Sequence, residues 1–415
     1  MSRPRVLLVK PVIPYPPDQG TKVVSFALIE ALRASCDVTV LARVLDGTDH
    51  ARVGELEAWC QRVVTVWPRN RRQPSTRVFY RLAYTLRSLA TGRSLKSQYD
   101  CPGPLVRAAR ALAAERFDLV ILEYWQMYPL LSVFDPARTV LLTHDIDLLV
   151  NRHRALLEDG VLARAAALRR WRLEQREEVR AYQRARRVWA LTGRDAAAVR
   201  RLSQERAEVA VLPFGLAEDR FAGEIAQRAS REVLFLGALG AAFNRDALDH
   251  FVHDIHPLLA ALEGIRFTVV GGSLPEKLAF FGALRNVEIA GHARDVAPFL
   301  ARAACLVVPL RYAGGLRIRI IEAMAAGLPV VASPAAVEGL AVEPGRHVLV
   351  AREAAEYRSH VERLLADPGF AVALARAARE RAREVYGPAA RGEGIRQAVA
   401  SLLAPRAPEQ GADKA

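Results

Sequence analysis

The residues Gly314 to Val331, GGLRIRIIEAMAAGLPVV, put two glycines, two arginines and one carboxylate at the start of a helix-forming run. Gly314 and Gly315 carry no side chain, so backbone amides at that helix start can approach an anion closely. The helix dipole favours negative charge there. Arg317 can fork onto phosphate oxygens, while Arg319, two residues on, points to a different side. Cations at a helix N-terminus are unfavourable unless an anion offsets them, so this pair points to a bound phosphate. Glu322 lies one turn beyond Arg319. It reads either as a group that does chemistry or as the partner of Arg319 in an intrahelical ion pair.

The elements that must position these groups repeat along the whole chain. Short apolar, β-branched runs at 5–11, 37–42, 62–68, 117–123, 139–144, 187–192 and 208–213 alternate with helical patterns. A second series follows at 232–237, 266–272, 287–291, 305–310, 329–333 and 347–351. Alternation of this kind predicts parallel sheets built from βαβ units, and the near-absence of polar residues in the runs predicts helices on both faces. At 415 residues the chain is too long for one core of about 150 residues, so two doubly wound domains are expected. The expected division is 1–212 and 213–386, the segment 213–232 being the connector. A helix at 387–404 returns to the first domain after the Tyr386-Gly387-Pro388 break, and the tail 405–415 is expected to be disordered. In open α/β sheets ligands bind at the carboxyl ends of strands, which is where the Gly314 segment follows its strand.

Composition narrows the functional classes. Hydrophobic residues make up 51% and charged residues 25%, as in an ordinary globular enzyme. The N-terminal apolar run is broken by Lys10 and several prolines, so it reads as a buried strand and not as a signal peptide. No stretch approaches the roughly 18 apolar residues of a membrane span. Cys36, Cys60, Cys101 and Cys305 are far apart, with no CxxC pair, which fits a reducing cytoplasm and argues against a zinc or disulfide framework. Net charge is +14, and residues 51–100 hold ten Lys/Arg against three Asp/Glu. Such a surplus attracts phosphate on a nucleotide or an anionic lipid. In the charged run Arg169 to Arg187, Glu174, Glu177 and Glu178 read as helix-surface pairs with the interleaved arginines. No aromatic-basic alternation points to nucleic acid. Neither half shows G-x-G-x-x-G after its first strand, which disfavours a dinucleotide dehydrogenase.

The segment PLRYAGGLRIRIIEAMAAGLPVVASPAAVEGL resembles the donor-site signature of the retaining glycosyltransferase family 4, which has the GT-B fold: two Rossmann-like domains facing across a cleft. LFLGALGAAFNRDALDHFV (234–252), VVGGSLPEKL (269–278) and VEIAGHARDVAPFLARA (287–303) follow that family's order, as does the Pro-rich loop PVIPYPPDQGTK after the first strand. The resemblance implies a nucleotide-sugar donor, UDP- or GDP-linked, bound by the second domain, and a sugar or lipid-linked acceptor bound mainly by the first. It implies transfer with retention, with no metal and no cofactor beyond the donor. Glu322 matches the second glutamate of the family's Glu-x7-Glu pattern and is implied to hold the nucleotide ribose. The first glutamate falls at Gly314, where carboxylate contact with the sugar is lost and amides of Gly314, Gly315 and Leu316 can replace it. Donor contacts are further implied for Gly20, Gly237, Asn244 and Gly272, with Arg317 and Arg319 on the diphosphate, because Arg245 comes only after Asn244. His144 resembles the N-domain histidine near the sugar, or else braces its loop. Lys22 is placed to add charge, and Asp18 either serves the acceptor hydroxyl or caps the following helix. The Asp-x-Asp at 145–147 reads as coincidence. Envelope or exopolysaccharide synthesis is the implied setting, in the cytoplasm, with the basic, amphipathic stretch 79–95 touching the inner membrane face. A catalytically inactive scaffold, given Gly314, and another GT-B enzyme such as a nucleotide-sugar epimerase stay open.

Overall fold

The computed structural model of the chain describes residues 3–45, 47–67, 74–148, 150, 160–225 and 228–404. The expected disordered tail at 405–415 lies outside them. All thirteen predicted strands are present, each within a few residues of its expected bounds. The first seven are β1 (Arg5–Lys10), β2 (Asp37–Arg43), β3 (Arg62–Val66), β4 (Leu119–Glu123), β5 (Thr139–Leu142), β6 (Arg187–Ala190) and β7 (Glu208–Val211). They form one sheet in the order β3-β2-β1-β4-β5-β6-β7. The remaining six are β8 (Glu232–Leu236), β9 (Arg266–Val270), β10 (Val287–Gly291), β11 (Cys305–Val308), β12 (Val330–Ala332) and β13 (Leu349–Val350), in the order β10-β9-β8-β11-β12-β13. Every pairing is parallel.

In each sheet the strand order reverses once, between β1 and β4 and between β8 and β11. Loops leaving neighbouring strands diverge at such a point and open a crevice at the strands' carboxyl ends. The switch-point loops after β1, β8 and β11 carry Gly20, Gly237 and Gly314, and the loop after β5, the strand beyond β4, brings His144 to the same cleft.

The chain crosses between sheets through residues 212–231 and returns. The helix Pro368–Tyr386 ends at Tyr386, whose carbonyl accepts from the Leu216 amide at 2.8 Å. Beyond the break, the helix Ile395–Leu403 lies against the first domain's Gly20–Leu32 helix, and Arg391 Nε donates to Glu30 at 2.6 Å. The crossing and the returning helix thus tie the domains twice.

One charge pattern departs from expectation. The helix Val161–Arg184 buries Glu174, Glu177 and Glu178, which are 9%, 1% and 0% exposed. They are not surface pairs. Glu178 accepts the amides of Asp147 at 3.0 Å and Leu148 at 2.7 Å, and Glu177 accepts from Ser94 N and Ser97 Oγ, both at 2.9 Å, and from Tyr128 Oη at 3.0 Å. A carboxylate with several donors satisfies otherwise orphaned loop amides, which offsets the cost of burying it. Glu178 therefore pins the loop that follows β5, and Glu177 holds the start of the helix Leu95–Asp100.

The second domain packs round Phe251, 1% exposed, whose ring centroid lies 5.9 Å from both Phe235 and Phe267 and 6.2 Å from Phe281. Phe251→Ala is expected to cost about 3–5 kcal/mol of stability. The loss is read as a lower denaturant midpoint; an unchanged midpoint would show that the cluster collapses into the space and carries no such weight.

Candidate active site

The cleft between the two sheets is lined from the first domain by Gly20, His144 and Asp145, and from the second by Gly237, Asn244, Gly314, Leu316, Arg317, Ile318, Arg319 and Glu322. The helix Ile318–Ala325 begins directly after Arg317, which is its N-cap residue. Its apolar face fits the core, with Ile318, Ile320, Ile321 and Met324 all buried, so its start is aimed at the cleft by packing.

Arg317 is 5% exposed. Its Nε donates to the Ala336 carbonyl at 2.9 Å and its Nη1 to the Gly315 carbonyl. Nη2 has no partner among the described residues. Burial lowers its pKa, against the opposing pull of Asp195 and Asp145. Arg319 donates to the Leu236 carbonyl and to Asn244 Oδ1, each at 2.6 Å. It makes no ion pair with Glu322, because its guanidinium is committed to the end of β8. Burial, together with the neighbouring Arg317 charge, lowers it to about 10. A Cβ at Gly237 would stand 2.6 Å from Arg319 Nη1, so glycine there is what lets the guanidinium seat. Arg245 is likewise occupied, donating to the Leu239 and Gly240 carbonyls at 2.8 and 2.6 Å.

Glu322 is half-buried in the cleft wall, and burial raises its carboxyl to about 7, with Arg220 lowering it and Asp295 raising it further. Gly272 does not line the cleft. Its amide donates to the Gly291 carbonyl at 3.0 Å, which turns it away from the donor position expected of it. Gly315 is pressed behind the lining against His144 and Asp145, while Leu316 reaches the cleft.

On the facing wall His144, 2% exposed, sits over a buried charge network. Its Nε2 is 2.8 Å from Glu123 Oε2, which also accepts from Lys10 Nζ and Ser25 Oγ, both at 2.7 Å. Lys10 Nζ donates in addition to the Thr21 carbonyl at 3.0 Å, so the network fixes the start of the Gly20–Leu32 helix as well. Burial alone would raise the Glu123 carboxyl; Lys10 and His144 more than reverse that and hold it at about 2. Burial lowers the His144 pKa, opposed by Glu123. The ring is therefore neutral with its hydrogen assigned to Nε2, facing the carboxylate. Tyr124 stacks on it with centroids 4.5 Å apart.

Two other expectations change. Lys22 is 8% exposed and pairs with Asp18 at 3.0 Å, so its charge does not face the cleft. Asp18 caps no helix, since the N-cap of Gly20–Leu32 is Gln19; it also reaches His292 of the second domain at 3.2 Å. Asp145, the first acid of the Asp-x-Asp, lines the cleft. Arg220, in the 3-10 turn Glu218–Phe221 of the crossing segment, and Arg294, in the loop after β10, also line it, although neither stands in a stretch with phosphate-binding spacing. Among the described residues no group of three or more His, Cys, Asp or Glu side chains is placed to hold a metal ion.

Two family models match the chain: "Glycosyl transferases group 1" over residues 230–367 and "Glycosyl transferase 4-like domain" over 19–215. No curated protein sequence matches it. Among solved structures, sucrose-phosphate synthase from Thermosynechococcus elongatus has a TM-score of 0.69 at 19% identity, over 97% of this chain and 99% of that one. HepE of Anabaena, solved with UDP and glucose, scores 0.67 at 16% identity, over 96% and 99%. WaaG, a glycosyltransferase involved in lipopolysaccharide biosynthesis, scores 0.61 at 17% identity, over 97% and 100%. At these identities the likeness is one of fold, two parallel-sheet α/β domains of GT-B type.

The raised Glu322 carboxyl has a consequence for stability. Its folded-state pKa of about 7 exceeds the ordinary 4.5, so between those values the folded chain holds a proton that the unfolded chain releases. Stability from this group is thus full below pH 4.5 and is lost as pH rises through 7. Glu322→Gln is expected to unfold at a higher temperature than the parent at pH 8, with the difference vanishing towards pH 4.5. A difference independent of pH would show that Glu322 does not titrate in this range.

Proposed function

The chain belongs to the group 1 glycosyl transferases, and from that premise we propose that it moves a sugar from a nucleotide-activated donor to an acceptor hydroxyl with retention at the anomeric carbon. The observation that carries the reading is the single cleft in which Glu322, Arg317 and Arg319 face Gly20 and His144 across the two switch points. Glu322 accepts the ribose hydroxyls. Its half-buried site, remote from His144's network, suits a clamp better than an acid or base. The positive end of the Ile318–Ala325 helix dipole and the unpartnered Nη2 of Arg317 take the diphosphate and stabilise the charge that develops as it leaves. Arg319 acts indirectly, by seating that helix against Gly237 and Asn244. The acceptor attacks the face the phosphate is leaving, and a phosphate oxygen takes its proton, so no enzyme carboxylate serves as nucleophile. Neither a metal nor a further cofactor is needed in this scheme.

HepE, bound to UDP, supports a uridine donor, with a GDP-sugar the alternative; the WaaG likeness supports an envelope glycoconjugate as acceptor. No helix among the described residues is long and apolar enough to cross a membrane. On the helix Pro74–Thr91, Leu86 and Leu89 are each 57% exposed beside the exposed Arg87, which supports docking of that face on an anionic inner leaflet. The inactive-scaffold reading draws on Gly314 alone.

A panel of sugar nucleotides, screened by thermal shift and by release of nucleoside diphosphate, tests the proposal. Turnover of at least one donor is expected, and a nucleotide shift without any turnover would favour the scaffold. Glu322→Ala and Arg317→Ala are each expected to weaken nucleoside diphosphate binding about tenfold or more, the worth of one charge-assisted hydrogen bond. Unchanged binding in both folded variants would remove the site assignment.

A further inference from the structure

The donor loop lacks its first carboxylate, and the structure accounts for the lack sterically. A Cβ at Gly314 would stand 2.7 Å from Val150 Cγ2, so the first domain closes the space a glutamate would need. The same point lies 3.4 Å from the Cβ and Oδ1 of Asp145. At Gly315, whose φ is +61°, a Cβ would overlap Asp145 Oδ1 and the His144 carbonyl. Where the C-terminal domain gives up an acid, the N-terminal domain brings one to within a side chain's thickness of the same place.

Asp145 is held there by its backbone. Its carbonyl accepts from Thr143 Oγ1 at 2.8 Å, and the amides of Asp147 and Leu148, two and three residues on, are pinned by Glu178. Its carboxylate makes no ion pair or hydrogen bond among the described residues. Of the two cations that act on it, Lys96 is bound to Asp147, and Arg317 gives Nε and Nη1 to carbonyls and keeps Nη2 unpartnered among the described residues. The carboxylate also borders both the donor cleft and an adjoining cavity walled by Lys96, Phe243 and Tyr312. Burial, with Asp147 and Asp195 near, raises its carboxyl to about 7, as suits a group that awaits donors.

We propose that Asp145 is the carboxylate that accepts the hydroxyls of the donor sugar in place of the glutamate absent at Gly314, an inference that rests on the glycosyltransferase reading above. The nucleotide is then gripped by the C-terminal domain through Glu322, and the sugar by the N-terminal domain through Asp145 beside His144. Sugar recognition is thereby tied to the closed arrangement of the two domains, because the acid that reads the sugar arrives only when β5's loop meets Gly315.

Calorimetric titration of the full chain and of Asp145→Asn and Asp145→Ala with UDP, UDP-glucose, GDP and GDP-mannose tests this. For the nucleotide that binds, the free diphosphate is expected to bind all three proteins alike. The matching sugar nucleotide is expected to lose about tenfold or more in Asp145→Ala, as one charged hydrogen bond is worth, and less in Asp145→Asn, which keeps one acceptor oxygen. Equal losses for the diphosphate and its sugar conjugate would make Asp145 a brace of the glycine loop and overturn the proposal, as would unchanged binding of the sugar conjugate. A parent protein that binds none of the four defeats the transferase reading itself, and this inference with it.

Discussion

The backbone of Gly315 and the carbonyl of His144 approach so closely that no side chain fits between them. Much of the cleft's construction serves that contact. It needs a residue free to adopt φ near +61° on one side, and on the other a loop that does not yield. The buried carboxylate of Glu178 supplies the second condition by holding the amides of Asp147 and Leu148. The returning helix and the Arg391–Glu30 pair hold the domains in register from the far side. With both conditions met, loops from two separate sheets form one wall, and groups more than 170 positions apart in the chain act as neighbours.

Beneath that wall lies a second buried charge system, Lys10, Glu123 and His144. Burying an ion pair seldom adds net stability, since desolvation offsets most of the attraction. Its effect here is on states: Glu123 stays ionised, His144 stays neutral, and Nε2–H is directed inwards. A neutral ring in a fixed tautomer leaves Nδ1 without a partner among the described residues and supplies no mobile proton. That agrees with a transfer whose proton is carried away by the leaving phosphate.

The fold was legible in the sequence because both signals that define it are local. Strands such as Val6–Val9 and Val330–Ala332 are apolar on both faces, and turns and helices separate them at βαβ spacing. The Gly314 segment could be read for the same reason, since its glycines, arginines and glutamate are consecutive. What escaped depended on tertiary contacts. Glu174, Glu177 and Glu178 look like surface charges in an arginine-rich helix, and nothing in that run shows the loop amides they accept. Arg319 and Glu322 have ion-pair spacing, yet the Leu236 carbonyl, 83 residues away on β8, and Asn244, 75 residues away on the helix Ala242–His250, compete for the guanidinium. Lys22 reads as a free cation until Asp18, one helical turn earlier, is seen to hold it. Asp145 lies in the domain opposite the donor loop, and only domain packing brings it to Gly314.

In the proposed mechanism one cleft grips a sugar nucleotide from both domains, with Glu322 on the ribose and the Ile318 helix start on the diphosphate. A crystal structure of the chain with a bound nucleoside diphosphate tests this directly. The ribose hydroxyls should lie within hydrogen-bond distance of the Glu322 carboxylate, and the terminal phosphate should meet Arg317 Nη2 and the amide face at Gly20. A nucleotide seated elsewhere, or one whose phosphates avoid that helix start, would contradict the account.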